Sequence, residues 1–211
     1  GEIDVSPGAL DSLTTGSEHT AIGHGAGSSL TTSTACTVVG FEALKTTTVF
    51  GEITALGHSA LKASTDGHSN TAVGHESMLV LTTGTSNVAV GHRAGPALTT
   101  GSFNTILGHI AGEVLTTGGD NICIGHDSAD NLTTGIQNIA IGLDTSLSAA
   151  GGNQQIVIGQ NVTCVGNLNF TFGNGTTDSN IAFGATSITA PSDVRLKEDI
   201  QDETVGLGFV N

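Results

Sequence analysis

Six histidines recur at one place in a repeated pattern, each directly after a glycine. A column of imidazoles could bind a metal ion or an anion. In other repeats Phe41, Leu143 and Gln160 take the same place, and no His-x-His pair supplies two ligands from one repeat. We therefore expect the column to pack, and we expect neither a metal site nor a cofactor. The six residues are His24, His58, His75, His92, His109 and His126.

Other residue types that could do chemistry are present without a recognisable catalytic spacing. Residues 1–190 contain no nucleophile elbow, P-loop, paired catalytic carboxylates or zinc-ligand spacing. Glu76, Glu113 and Asp127 leave open a sugar-cleaving enzyme with carboxylates on different repeats, but aromatic residues that could stack on sugars are scarce. The threonine pairs are adjacent, so only one of each pair can face outward, which argues against an ice-binding surface.

Nine glycines stand 17 residues apart and define the repeat. A fixed period over most of a chain indicates one small unit stacked many times, which gives an elongated rod without a central pocket. Rods of this kind typically act as spacers, display binding surfaces or bind partners, and they seldom enclose a substrate. The nine are Gly23, Gly40, Gly57, Gly74, Gly91, Gly108, Gly125, Gly142 and Gly159.

Each repeat predicts a short strand that ends at this glycine. A large aliphatic residue precedes the glycine, a β-branched residue stands two places earlier, and a small residue lies between them, as in Thr71-Ala72-Val73. Alternation of this kind is typical of a strand. We expect the aliphatic side chains to face the interior, and the alanine and glycine face to be free for close approach of another backbone.

The second half of the repeat reads Leu-Thr-Thr-Gly, clearest at 81–84, 98–101, 115–118 and 132–135. We expect a second short strand closed by a glycine turn, with the leucines inside. Seventeen residues are too few for a βαβ unit. The predicted fold is therefore all-β: a β-solenoid or β-roll of nine 17-residue coils.

An asparagine stands four residues before the glycine in five successive repeats. In register, these amides can hydrogen-bond along the rod as a ladder. We interpret them as structural residues. They are Asn70, Asn87, Asn104, Asn121 and Asn138.

Composition limits the classes of partner. The chain has 19 acidic and 5 basic residues, a formal net charge of -14. This balance argues against nucleic-acid binding, which needs clustered Lys and Arg. Without a run of 18 apolar residues we expect no membrane insertion. Cys36, Cys123 and Cys164 are predicted to be small fillers of the core, because units stacked at the strand spacing hold Cys36 and Cys123 beyond disulfide reach.

The repeat N-x-A-[IV]-G-H-x-[AS] resembles the head repeat of trimeric autotransporter adhesins, the YadA-like left-handed β-roll. Matching segments are 70–74, 87–91, 104–108 and 138–142, and the resemblance covers about residues 16–160. The resemblance implies a homotrimer of side-by-side chains. In such a trimer the alanine and glycine face, with its nine repeat glycines, would pack against the two other chains.

The C-terminal segment 192–200 reads S-D-V-R-L-K-E-D-I. Taken alone, Ser192 or Asp193 is a good N-cap for a short helix. The segment also resembles the opening motif S-D-x-R-L-K-x-x-I of the endosialidase-type intramolecular chaperones, which close many phage tail fibres and tailspikes. By this resemblance the complete protein would trimerise and then cleave itself, with Ser192 as nucleophile and Lys197 as its general base. The match covers residues 192–211, and the family's domain is far longer.

Together the two resemblances predict the distal part of a phage tail fibre, folded in the host cytoplasm, carried on the virion and attached to a polysaccharide or protein of the host surface. The predicted divisions are a lead-in (1–15), β-roll repeats (16–160), an irregular β cap or neck (161–190) and the start of the chaperone (191–211). The head of a trimeric bacterial adhesin is the alternative, and a polysaccharide-cleaving tailspike is the third candidate. Apart from self-cleavage, we expect no enzymatic activity.

Overall fold

The described part of the chain forms one continuous sheet. The structure is a computed structural model that describes residues 3–4, 8–48, 51–176 and 178–185. Twelve strands of these residues pair in chain order. They are Ile3–Asp4 (β1), Thr20–Ile22 (β2), Thr37–Val39 (β3), Thr54–Leu56 (β4), Thr71–Val73 (β5), Val88–Val90 (β6), Thr105–Leu107 (β7), Ile122–Ile124 (β8), Ile139–Leu143 (β9), Ile156–Gln160 (β10), Asn169–Gly173 (β11) and Ser179–Ala182 (β12).

The strands are parallel from β1 to β11, and the register repeats the sequence period. Thr20 pairs with Thr37, and the same offset of 17 residues continues to Ile156. The last parallel step is shorter, because Ile156 pairs with Phe170. Strand β12 then returns antiparallel to β11. The prediction of an all-β solenoid of about nine 17-residue coils is confirmed. At about 4.8 Å per step, β1 to β11 spans roughly 48 Å.

Each coil contributes one strand, so the second strand predicted at Leu-Thr-Thr-Gly is wrong for the described residues. The chain bends there instead of running straight. The hydrogen bonds still join neighbouring coils: the Thr82 N–H donates to the Thr99 carbonyl at 2.8 Å, and the Thr99 N–H to the Thr116 carbonyl at 2.8 Å. A bent segment can therefore stack in the same register without forming a ladder of extended strands.

The interior is thin, and the face of each strand that is buried is the opposite of the one predicted. The small middle residues, such as Ala72 and Ala89, are fully buried, whereas the aliphatic residues that precede the glycines lie half-exposed on the outside. The leucines of the opposite wall take up the space, and their predicted interior position is confirmed. Alanine is the commonest strand residue in front of them, and Val38, Ile106 and Val157 are buried at the same position in other coils. These leucines are Leu81, Leu98, Leu115 and Leu132.

The repeat glycines pack against each other along the chain. A Cβ on Gly108 (φ +138°) would lie 2.3 Å from the carbonyl oxygen of Gly125, the glycine of the next coil. The sequence predicts a close approach of a second chain at this glycine; within one chain the next coil already makes it. The prediction that the alanine columns face other chains is wrong, because those alanines are fully buried.

The sheet extends past both ends of the predicted repeat region, through β1 before residue 16 and through β11 and β12 after residue 160. The predicted C-terminal helix, with Ser192 and Lys197, lies outside the described residues. The three cysteines are free and buried. Among the residues that the structure describes, none forms a helix long and apolar enough to cross a membrane.

Replacing Gly108 by alanine should destabilise the solenoid by about 3 kcal/mol, because the new Cβ meets backbone and the left-handed φ is strained for alanine. Gly166→Ala is the matched control, since its Cβ would meet only a side-chain amide at 3.7 Å. Denaturant titration of both variants gives the comparison. Equal stability of the two variants would show that the glycine contact is not needed.

Candidate interaction surface

The five predicted ladder asparagines are buried and bonded in series. The Oδ1 atom of each of the first four accepts hydrogen bonds from the backbone N–H and the Nδ2 of the next, at 2.9 to 3.2 Å. Each Nδ2 also donates to a glycine carbonyl at 2.7 to 3.0 Å. The polar atoms of the ladder are therefore used inside the chain, which suits a structural role.

Two residues missed from the sequence also occupy the ladder position. Near the N-terminal end, Nε2 of buried His19 lies 3.0 Å from the Ser33 carbonyl, and its Nδ1 accepts the Cys36 N–H at 3.3 Å. Cys36 and Ile53 take the position in the next two coils, so His19 is separated from the asparagine ladder. At the other end, the Gln155 N–H donates to Oδ1 of Asn138 at 3.0 Å. The signal was present in the sequence, because both stand four residues before a repeat glycine.

The histidine column is a stack of exposed rings. From His58 to His126 successive ring centroids lie 5.0 to 5.1 Å apart with interplanar angles of 7° to 16°. Phe41 continues the stack between His24 and His58, at 5.6 and 5.2 Å. Parallel stacking accounts for a phenyl ring in this column. Within the described residues, no group of three metal-ligating side chains is found.

The candidate catalytic carboxylates are not arranged as an acid–base pair. Arg93 lies between two of them, with Nη2 at 3.2 Å from Oε1 of Glu113 and Nε at 3.9 Å from Oε2 of Glu76. Burial raises the pKa of Asp127, and the nearby carboxylates of Asp130 and Asp144 raise it further. The first two carboxylates are thus neutralised by an arginine, and the third belongs to an acidic group.

One Ser–His–Glu cluster occurs on the surface, but its order does not suit nucleophilic catalysis. Ser69 donates to Oε2 of Glu52 at 3.0 Å and lies 3.2 Å from Nδ1 of His68. In a catalytic triad the imidazole stands between the hydroxyl and the carboxylate, so that it can take the hydroxyl proton. Here the serine stands in the middle.

The basic side chains of the described residues are paired with carboxylates. Lys45 and Lys62 contact Glu42 at 2.5 and 2.6 Å, and these contacts lower the pKa of Glu42 to about 2. Arg93 is held by Glu76 and Glu113. Within the described residues, the lysines and the arginine therefore form no cluster of unpaired cations.

The outward residues of the strands form two parallel columns. A side chain two residues along a strand returns to the same face, about 6.6 Å away. Representative exposed fractions are 37% for Ile22, 39% for Val90 and 39% for Ile158. We call Thr20, Thr37, Thr54, Thr71, Val88, Thr105, Ile122, Ile139, Ile156 and Phe170 outer column 1, and Ile22, Val39, Leu56, Val73, Val90, Leu107, Ile124, Ile141, Ile158 and Phe172 outer column 2.

A groove of about 330 Å³ lies beside outer column 1 at the C-terminal end of the sheet. Ile139 and Ile156 form one side of it, and Leu168 and Phe183 contribute further apolar surface. Two neutral amides, Gln137 and Gln154, complete the lining and are bonded to each other at 3.2 Å. Leu168 and Phe183 are 49% and 45% exposed.

Comparison with protein-family models, with curated proteins and with solved structures finds no match for this chain. The resemblances to the adhesin head repeat and to the intramolecular chaperone therefore stay predictions, carried by the residues in which they were seen.

Replacing Asn104 by alanine should destabilise the protein by about 3 kcal/mol, because it leaves the buried Asn121 N–H and the Gly118 carbonyl without their partners. The exposed Thr100 of the same coil offers a matched control, and Thr100→Ala should change stability by less than about 0.5 kcal/mol. Urea unfolding followed by circular dichroism measures both. A loss below about 1 kcal/mol for Asn104→Ala would mean that the ladder does not stabilise the rod.

Proposed function

We propose that this chain is a structural and host-attachment segment of a homotrimeric phage tail fibre. The observation that carries the proposal is the pair of outer columns, which follow the rod from β2 to β11. Outer column 2 is apolar along its whole length, whereas outer column 1 carries threonine in β2 to β5 and in β7 and is apolar from β8 to β11. Ten strands at about 4.8 Å make this face roughly 43 Å long. Its apolar part, one column wide at first and two columns wide at the C-terminal end, measures roughly 300 Å², which is within the range of the largest apolar patch on a typical monomer, where such patches mark interaction sites.

The wider outer face has room for contact with other copies. Including the residues on both sides of the two columns, it measures roughly 20 Å by 43 Å, or about 860 Å². A standard protein interface covers about 800 Å² on each partner. Identical chains are the partners that the repeat resemblance implies, and the structure changes which surface they would share: the outer columns, since the alanines are inside.

The attachment role rests on the rod and on the absence of an apparent catalytic site in its described part. Hydrogen bonds join the coils from the Thr14–Thr31 pair to the Ile139–Gln155 pair, which favours a stiff spacer. The carboxylates that a sugar-cleaving enzyme would need are paired with Arg93 or grouped together. Maturation by cleavage near Ser192 is part of the proposal and comes only from the chaperone resemblance.

The oligomeric state tests the proposal. Light scattering after size exclusion should give three times the 21.0 kDa of one chain. We also expect the assembled protein to migrate as a trimer in SDS without heating, because we expect a high unfolding barrier to hold the side-by-side chains together. A chain of monomeric mass at all concentrations would contradict the trimer. Binding of the fluorescently labelled trimer to host cells, with heat-dissociated protein as control, tests attachment separately.

A further inference from the structure

The outer face changes in character along the rod. In outer column 1 the first four strands of the regular repeat carry threonine, Val88 and Thr105 follow, and the last four positions carry isoleucine and then phenylalanine. Outer column 2 is aliphatic throughout and also ends in phenylalanine. The apolar surface is therefore greatest at the C-terminal end. The late members of the two columns are Ile122, Ile139, Ile156 and Phe170, and Ile124, Ile141, Ile158 and Phe172.

Charged side chains are few on this face, and none lies in its columns at the C-terminal end. Beside outer column 1 the flanking position is charged only at Glu18, Glu52 and Asp120, and its last three members are Gln137, Gln154 and Leu168. On the other flank the stacked histidines give way to Leu143 and Gln160, with Asp144 following Leu143. From β9 to β11 the two columns and these flanking positions therefore contain no charged side chain, on a chain with a formal net charge of -14. Copies that repel each other elsewhere can approach closely here.

We infer that the C-terminal end of the outer face, from β9 to β11 with the groove beside it, is the part of that face on which a second copy of this chain docks most tightly. This inference rests on the proposed homotrimer. The groove lies on the outer-column-1 side, and the ridge formed by Ile141, Ile158 and Phe172 lies on the other side. A groove and a ridge on different parts of one surface suit head-to-tail contacts, which close into a ring in a threefold assembly.

The sequence of outer column 1 indicates which substitutions the coil tolerates. Threonine occupies outer column 1 in β2 to β5, so isoleucine-to-threonine changes in that column are compatible with the coil. The double variant Ile139→Thr and Ile156→Thr removes apolar surface from one wall of the groove. Its matched control, Leu56→Thr with Val73→Thr, removes two aliphatic side chains from the same face at the opposite end.

Sedimentation over a concentration series should show that the groove variant dissociates at a concentration at least about tenfold above that of the wild type. The control should shift by less than about threefold. Circular dichroism of each variant reports whether the coil is intact. If the groove pair fails to fold, Gln154→Lys serves in its place, with Thr117→Lys on another side of the rod as control; both positions are exposed.

The outcomes separate the two proposals. A wild-type monomer would contradict the homotrimer and this inference together. A stable trimer that tolerates the groove changes, or that is weakened equally by the N-terminal control, would contradict the C-terminal docking site and leave the homotrimer standing.

Discussion

The fold depends on one constraint, which is that each coil must satisfy the backbone and amide hydrogen bonds of the coil before it. The register of 17 residues allows Asn87, Asn104 and Asn121 to bond in series and the repeat glycines to pack on one another. A shift of one residue would bring a side chain against backbone at every glycine. The interior can then be thin, because the hydrogen bonds between coils hold the two walls together.

This constraint also decides which side of the strand is buried. The interior holds the middle residue of each strand, most often alanine, opposite the leucines, so the two aliphatic or threonine positions on either side of it lie outside. An apolar outer face thus follows from the narrow coil, and it is the surface most in need of a partner. The histidine stack borders this face.

Much of the fold was predictable because the repeat is encoded in residues that have few substitutes. Gly108 and Gly125 cannot carry a Cβ, and the ladder asparagines need both an acceptor and a donor, so period and register could be inferred from spacing. Which face of each strand is buried could not be inferred, since Ala72 and Val73 are both apolar and alternation alone does not say which of them is inside. The bends could not be predicted either. Glu52, Ser86 and Phe103 stand at the same position of their repeats and all have a left-handed backbone conformation, but their side chains share no chemistry.

The most direct measurement is the reactivity of single cysteines placed on the outer face of the native protein. The natural cysteines are buried, and burial raises the pKa of Cys123 to about 12, so they give little background labelling. If copies of the chain cover outer column 2, Ile158→Cys should react slowly with a maleimide while the exposed Thr117→Cys reacts quickly. Equal, rapid labelling of both positions in the native protein would contradict the account.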